Sequence, residues 1–504
     1  MSATAVRGDA ETLARGAATN LLGNLGSLSQ ALAMFVIARA FGAQVLGLYA
    51  LAWMLVRIIA RFVGLGLDPA IVYHLNRVTA DDEQDREGQL VGTSSLLVVI
   101  ASVISGVILW LGMDLVAYGI FDEPRLVIAY RAFVFALPAM GLTGVLLAAT
   151  RARKVMKYQV IAMSFVQPFS FLMGSLVAWR IDGGLAALAI AQTAAVWITT
   201  GVSVLFYGTI FRIGPLIRGF FRPTEVAGLL RYGLPLAGKG MLALAVTRTD
   251  LFLVGHFLGA AAAGIYSLAA DVAQLIRMAR MALEPILGPL VAEQHHRADR
   301  DRLSATYGRA TRWALIVNLA LSGVVAIAGE TILSLYGKTF TAGAFALAIL
   351  LLGQVIAGAF GLSEMMLTMI GHPTLVFGNM ALLLGLIGVL DYAFIQLWGL
   401  TGAAIGTASA TILVTLVQVR QVRKRTGMHP WRFAILRPAV AFICAVTPAL
   451  FVPLPTMHTA VDQIIRSVAF LLLYVVFLIR FGLETEDRHY VGTAIHRFRA
   501  RRNR

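Results

Sequence analysis

Four arginines stand inside stretches that are otherwise apolar: Arg57 and Arg61, four residues apart, and Arg277 and Arg280, three apart. At those spacings each pair shares one face of a helix. An arginine in the hydrocarbon layer of a membrane costs about 3 kcal/mol or more unless it meets water or an anion. Its guanidinium stays protonated there and binds phosphate oxygens through paired hydrogen bonds, so a diphosphate suits such a group of cations. The structural alternative is that these arginines pair with acids, such as Glu284 one turn from Arg280, or extend to an interface.

Carboxylates at similar depth offer a second chemistry, because a membrane-buried acid relays a proton or holds a cation. Glu364, near the middle of its apolar run, is the first candidate for coupling, set against a structural ion pair. Asp271 and Gln274 lie one turn apart. Read as one continuous helix, the run over 232–258 puts Lys239 and Asp250 on one face and Arg248 nearly opposite. Arg248 and Asp250 are candidates for gating or for ion pairing between helices. His295 and His296 adjoin a charged loop without further metal-like spacing, and no metal site or other cofactor is expected.

The elements that carry these residues are membrane helices. The chain of 504 residues is 59% hydrophobic and 13% charged, with mean hydropathy +0.79, a composition that excludes a soluble globular domain. Apolar runs long enough to cross the hydrocarbon core recur fourteen times: 17–41, 45–68, 90–113, 127–150, 158–179, 184–208, 232–258, 264–290, 309–335, 343–370, 374–398, 400–420, 432–453 and 461–483. The first run is too long, and followed too soon by another, for a cleavable signal peptide. The lone Cys444 lies within an apolar run, so no disulfide framework is available.

The net charge of +16 is distributed in a way that points to a membrane and away from nucleic acid. With both ends inside, the inward connections hold Arg151, Arg153, Lys154 and Lys157, then Arg212, Arg218 and Arg222, Arg297, Arg300 and Arg302, and Arg423, Lys424 and Arg425. Outward connections offer little beyond Arg125, Arg180 and Lys338. This asymmetry follows the positive-inside rule. One inward loop is acidic, with Asp81, Asp82, Glu83, Asp85 and Glu87, but acids count little in that rule. The basic tail from Arg497 to Arg504 is expected to lie against anionic lipid headgroups.

Two segments 217 positions apart are near copies: Phe41-Gly-Ala-Gln-Val-Leu-Gly-Leu-Tyr-Ala-Leu-Ala52 and Leu258-Gly-Ala-Ala-Ala-Ala-Gly-Ile-Tyr-Ser-Leu-Ala269. Each sits at a tight turn between long apolar runs, so the repeating unit is a whole helical bundle. Copies six spans apart share one membrane orientation, which makes the repeat parallel. Moved back by 217 positions, Arg277 and Arg280 fall at 60 and 63, beside Arg57 and Arg61. The expected fold is all-α and integral to the membrane, with two pseudo-symmetric lobes of six helices and two further helices. Its parts are an N-lobe over 1–208, an interfacial connector over 209–231, a C-lobe over 232–424, and a last helix pair with the tail over 425–504. The four arginines would then line a cationic cavity between the lobes. Gly402, Gly406 and Ala410 would let the twelfth helix pack closely on a neighbour.

Several pieces of this sequence resemble the bacterial polysaccharide transporters. In the first half they are Gly-Leu-Tyr-Ala-Leu-Ala at 47–52, Ala136-Leu-Pro-Ala-Met and the Arg151-Ala-Arg-Lys cluster. In the second they are Leu230-Arg-Tyr-Gly-Leu-Pro235, Arg248-Thr-Asp-Leu-Phe-Leu-Val-Gly255, Gly264-Ile-Tyr-Ser-Leu-Ala and Gly399-Leu-Thr-Gly-Ala-Ala-Ile-Gly406. Each motif is weak by itself; their order and spacing over nearly the whole chain are more specific. That family includes flippases for lipid-linked oligosaccharides, within a superfamily that also holds multidrug extruders and lipid II flippases. The resemblance implies flipping of an undecaprenyl-diphosphate-linked sugar from the cytoplasmic to the outer leaflet of a bacterial inner membrane. It also implies polysaccharide polymerases or glycosyltransferases as working partners. Asn20, Asn24 and Ser27 form a polar stripe that could meet sugar hydroxyls, or hydrogen-bond to a neighbouring helix.

Two other functions compete. A cation-coupled drug or metabolite antiporter of the same superfamily would use membrane carboxylates, yet no Asp or Glu occurs between Glu11 and Asp68. A membrane glycosyltransferase or ligase acting on the same carrier would need a sizeable outer loop, and the longest here runs from Gly112 to Leu126. No Walker phosphate loop is present. A non-enzymatic transporter is the expectation.

Overall fold

The computed structural model describes residues 3–76, 83–297, 299–428, 433–451 and 459–482, without the side chains of 3–28, 83–84, 278–283, 285–286, 433–435, 451 and 459–460. Asn20, Asn24, Ser27 and Arg280 therefore have described backbones only, and Asp81, Asp82 and the arginines of the tail lie outside the described residues. Every regular element described is helical. The chain forms two compact units, residues 1–264 and 265–504.

The first unit runs through α1 (Ala3–Val63), α2 (Leu67–Leu75), α3 (Glu83–Asp114), α4 (Leu126–Phe133), α5 (Ala136–Ala152), α6 (Lys157–Val160), α7 (Gln167–Arg180), α8 (Gly184–Gly208), α9 (Ile213–Phe221) and α10 (Val226–Val246). The boundary at Gly264 falls within α11 (Thr249–Gln274). The second unit continues through α12 (Arg277–His296), α13 (Arg300–Tyr336), α14 (Ala344–Phe360), α15 (Leu362–Met369), α16 (Pro373–Thr426), α17 (Phe433–Phe451) and α18 (Thr459–Phe477). Ten described helices are long and apolar enough to cross a membrane, or eleven if α4 and α5, bent by 42°, form one span. Two of them, Ser29–Leu75 and Pro373–Thr426, contain 47 and 54 residues, whereas one crossing takes about 20. Fewer such helices than the fourteen expected runs result partly because a single helix carries two runs across a bend.

Those bends are where the repeat becomes geometric. Gly42 inside α1 has φ 78° and ψ −177°, and Gly259 inside α11 has φ 82° and ψ 177°. Only glycine adopts that region readily, so the same residue makes the same corner in both copies. Next to these corners, α1 and α11 touch backbone to backbone. A Cβ on Gly47 would lie 1.7 Å from the Ala260 carbonyl oxygen, and one on Gly264 would lie 2.0 Å from that of Ala43. Gly47 and Gly264 are equivalent in the repeat, as are Ala43 and Ala260. The contact is therefore its own image, as in an isologous interface.

The short helix α9 is held against α3 by equally close approach. A Cβ on Gly92 would lie 2.1 Å from Leu216 O, and one on Gly219 2.1 Å from Gln89 O. Ion pairs surround the contact: Asp85 with Arg218 at 2.8 Å, Arg86 with Glu225 at 2.5 Å, and Glu87 with Arg153 at 2.5 Å. The acidic residues 85 and 87, which broke the charge rule, are thus neutralised by basic neighbours. The far face of α9 exposes Ile213, Ile217 and Phe221 at one-turn spacing, flanked by Arg212 and Arg222, as an interfacial helix would.

These pairs differ in burial. Glu87 is 2% exposed, whereas Asp85 and Arg218 both stand in solvent at 46% and 58%. Arg153→Ala strands a buried carboxylate and is expected to destabilise by about 2–3 kcal/mol, less than a fully buried pair because Arg153 is half-exposed. Arg218→Ala should cost under about 1 kcal/mol. Melting of the two variants in detergent separates them; equal shifts would contradict the assignment.

Besides the bend between α4 and α5 within the expected run over 127–150, the structure departs from the expected continuous spans at four places. After Val63 the chain passes through Leu65 and Gly66, both at positive φ (48° and 65°), before α2 begins. A Cβ on Gly66 would lie 2.0 Å from Gly233 O on α10, so the break is also a packing point. The run over 232–258 breaks at Thr247–Arg248, so a face shared by Lys239 and Asp250 is not set by one helix. The run over 264–290 breaks at Leu275–Ile276, and the run over 343–370 breaks at Gly361. Candidate polar residues stand beside the last three breaks.

Candidate functional site

On α1, Tyr49, Trp53, Arg57 and Arg61 recur every fourth residue and so share one face. Tyr49 is buried; its hydroxyl donates to Gln192 Oε1 on α8 at 3.1 Å, and its ring stacks on Phe171 of α7 at 5.5 Å. Trp53 packs against Phe133 at 5.0 Å. This aromatic wall fixes the helix that carries Arg57, which is half-buried one turn beyond Trp53 and acts electrostatically on Tyr49. Arg61, a further turn along, is exposed.

Arg61 has an acidic neighbour the sequence did not single out. Asp68, in the first turn of α2, is half-buried and lies within electrostatic reach of Arg151 and Arg61. Its carboxylate lies over Gly144 of α5, where a Cβ would come within 2.6 Å of Oδ1. Arg61 thus lies within the field of an acid, and Arg57 takes part in other interactions within the fold.

In the second unit, Arg277 is half-buried and opens α12, one residue after the break. Arg277 and Glu284 both take part in interactions within the fold. Arg248 stands at the break between α10 and α11, and Asp250 lies in the first turn of α11. Asp250 is buried, and Oδ1 accepts the Leu251 backbone N–H at 2.8 Å, a favourable place for a carboxylate at a helix N-terminus. Asp271 is exposed in the last turn of α11 and acts electrostatically on Tyr336. Glu364 is half-buried in the first turn of the short α15. Among the described residues, no three His, Cys, Asp or Glu side chains come together as a metal centre needs.

A polar cluster in the second unit gathers around Asp391, an acid that the sequence places in an apolar run but whose partners it does not reveal. Asp391 on α16 is fully buried, and both of its oxygens accept from Thr407 Oγ1, at 3.0 and 3.3 Å. Tyr266 in turn donates to Thr407 Oγ1 at 3.4 Å. Gly406 makes room for the carboxylate: a Cβ there would lie 2.2 Å from Oδ1. Tyr266 is the repeat partner of Tyr49, and Thr407 does for it what Gln192 does for Tyr49. The signal was legible as Gly184-Leu-Ala-Ala-Leu-Ala-Ile-Ala-Gln192 beside Gly399-Leu-Thr-Gly-Ala-Ala-Ile-Gly-Thr407, both opening at a glycine with φ near +55° (53° and 56°). The position matching Asp391 in the first copy is Leu176, so the carboxylate belongs to one half only.

Comparison with known proteins places this architecture. The lipid II flippase MurJ, in an inward closed conformation, superposes with a TM-score of 0.73 at 12% identity, covering 91% of this chain and 98% of that one. A multidrug resistance transporter of the MATE family, in its inward-facing conformation, gives a TM-score of 0.66 at 15% identity over 80% and 94%. At such identities the likeness is one of fold. A protein of Haloferax volcanii named probable flippase AglR is 24% identical over 268 residues, 50% of this chain and 55% of that protein, so the chain spans about half the length of this relative. The family described as polysaccharide biosynthesis protein matches residues 36–344, more than half of the chain. A multi-pass helical protein with this corner-and-tyrosine repeat, the chain belongs to the polysaccharide biosynthesis protein family.

Proposed function

We propose that this protein flips an undecaprenyl-diphosphate-linked oligosaccharide across a bacterial inner membrane by alternating access, with both termini cytoplasmic. The observation that carries the reading is the half-buried Arg57, with Arg61 a turn away, on a membrane helix held by the Tyr49 and Trp53 contacts. Arg57, Arg61, Arg277 and Arg280 bind the diphosphate, and Asn24 meets sugar hydroxyls. Membership of a polysaccharide biosynthesis family supports a saccharide cargo. The names of AglR and MurJ, a probable flippase and a lipid II flippase, support a lipid-linked one. Glu364, Arg248, Asp250 and Asp271 are the candidates for coupling or gating, since each stands at or near a break in a membrane helix. Polymerases and glycosyltransferases of the same pathway are the expected partners, and the protein itself carries out no bond chemistry.

The second reading is a cation-coupled multidrug or metabolite antiporter, favoured by the fold shared with a MATE transporter. The two readings separate in proteoliposomes loaded with a fluorescent diphosphate-linked oligosaccharide lipid or with cationic dyes. The flippase reading expects leaflet transfer of the lipid well above protein-free vesicles and no dye movement. Dye movement driven by an ion gradient, with the lipid left in place, would overturn it.

A further inference from the structure

Two helices of the first unit enclose a groove that the diphosphate reading leaves unused. Arg131 and Phe135, one turn apart on α4 and at its bend into α5, form one wall, and Ile190 and Trp197 of α8 form the other. Between them lies a cavity of about 560 Å³, within the range of small-molecule sites of about 300–1,000 Å³. Ala132 and Ala194 line it too, and their small side chains leave the space open. Both walls are fixed by hydrogen bonds across the groove. Thr193 Oγ1 donates to the Ala132 carbonyl at 3.1 Å, and Trp197 Nε1 to that of Phe135 at 2.9 Å. The exposed residues of α8 continue past the cavity as Ile198, Val204 and Leu205, so this side of the unit is apolar and meets lipid.

Among the described residues, Arg131 is the only charged one lining the cavity, and no acid forms an ion pair with it. Basic residues of the loops meet water, whereas Arg131 lies inside a bent membrane span that begins at Leu126. Five residues of helix place it about 7.5 Å below that end. Side chains on a helix lean toward its N-terminus, so the guanidinium reaches back to the level of the lipid phosphates. Water alone would satisfy the guanidinium there, but not Phe135 and Trp197, which continue the groove one turn deeper. An amphiphile satisfies both.

We infer that this groove binds one anionic phospholipid, with its phosphate on Arg131 and an acyl chain along Phe135, Ile190 and Trp197. The guanidinium takes two phosphate oxygens through paired hydrogen bonds. One cation matches the single negative charge of phosphatidylglycerol. Among the described residues, no acid lines the groove to receive the ammonium of a zwitterionic headgroup. The leaflet, that on which α4 begins, is the outer one under the proposed orientation; the groove itself depends on no cargo.

Binding of phosphatidylglycerol to the full-length protein, measured at its tightest site by native mass spectrometry from detergent, tests it, with phosphatidylethanolamine and a polyprenyl diphosphate as rivals. The native chain is expected to prefer phosphatidylglycerol to phosphatidylethanolamine by at least about fivefold. Arg131→Gln should lose at least about tenfold in affinity for phosphatidylglycerol. Ala194→Phe fills the groove at an exposed helix position without touching charge, and should lose at least about fivefold. Arg125→Gln removes a cation at the same end of α4 but outside the cavity, and should stay within about twofold of native. Unchanged binding in either of the first two variants would overturn the site, as would an equal loss in Arg125→Gln or equal affinity for the two phospholipids. A loss confined to the polyprenyl diphosphate would overturn the phospholipid as occupant. Because binding is read without transport, a transfer assay that fails for every lipid leaves this result standing.

Discussion

Gly47→Val is expected to lower the apparent melting temperature of the detergent-solubilised protein by at least about 5 °C, and Gly264→Val to do the same. At Gly47 even a single Cβ meets a backbone carbonyl at 1.7 Å, and at Gly264 at 2.0 Å. Backbone atoms cannot turn aside as a side chain can, so α1 and α11 must separate. Forced overpacking costs about 3 kcal/mol or more at such a place, and each kcal/mol moves the midpoint of a large domain by about 2 °C or somewhat more. Because the two glycines are equivalents in a contact that maps onto itself, the two substitutions should have similar effects. Gly112→Ala is the control: nothing lies within 4 Å of its Cβ, and alanine favours the helix there. Native-like melting of both valine variants would show that α1 and α11 do not meet as described.

The repeat that predicts this contact was visible in the sequence because it rests on residue types with few substitutes. Gly42 and Gly259 must adopt a conformation barred to other residues, and Gly47 and Gly264 must have no side chain. Positive-φ glycine and backbone contact leave identity in the sequence at fixed spacing. The second half of the repeat was harder to see because its chemistry tolerates exchange: Gln192 and Thr407 both accept from a tyrosine hydroxyl while differing in type. Helix breaks were the other blind spot. Apolar periodicity continues across Leu65–Gly66, Thr247–Arg248, Leu275–Ile276 and Gly361, since lipid-facing residues are apolar whether or not the helix is interrupted. The partners of individual charges were equally hidden. Arg151, 83 positions away, acts electrostatically on Asp68 through a fold that no local spacing encodes.

The larger functional effect belongs to the arginines. If Arg57 and Arg277 hold a diphosphate, each contributes charge-assisted hydrogen bonds of about 1.5–3 kcal/mol. Removal of either should then slow transfer by about tenfold to a hundredfold, without the loss of stability expected at Gly47. Lysine in place of either keeps the charge but not the two-pronged geometry, so Arg57→Lys should recover only part of the rate. The same arginines would disfavour a cationic dye, whose movement their removal should leave unchanged or raise. A merely structural arginine would instead lower stability and every transport activity together.

The most direct measurement is leaflet transfer of a fluorescent diphosphate-linked oligosaccharide lipid in proteoliposomes, comparing the native chain with Arg57→Ala and Arg277→Ala at matched protein density and melting temperature. Transfer by the native chain that falls at least tenfold in both variants is the predicted result. Transfer that survives both substitutions, or that is absent from the native chain under every ion gradient, would contradict the account.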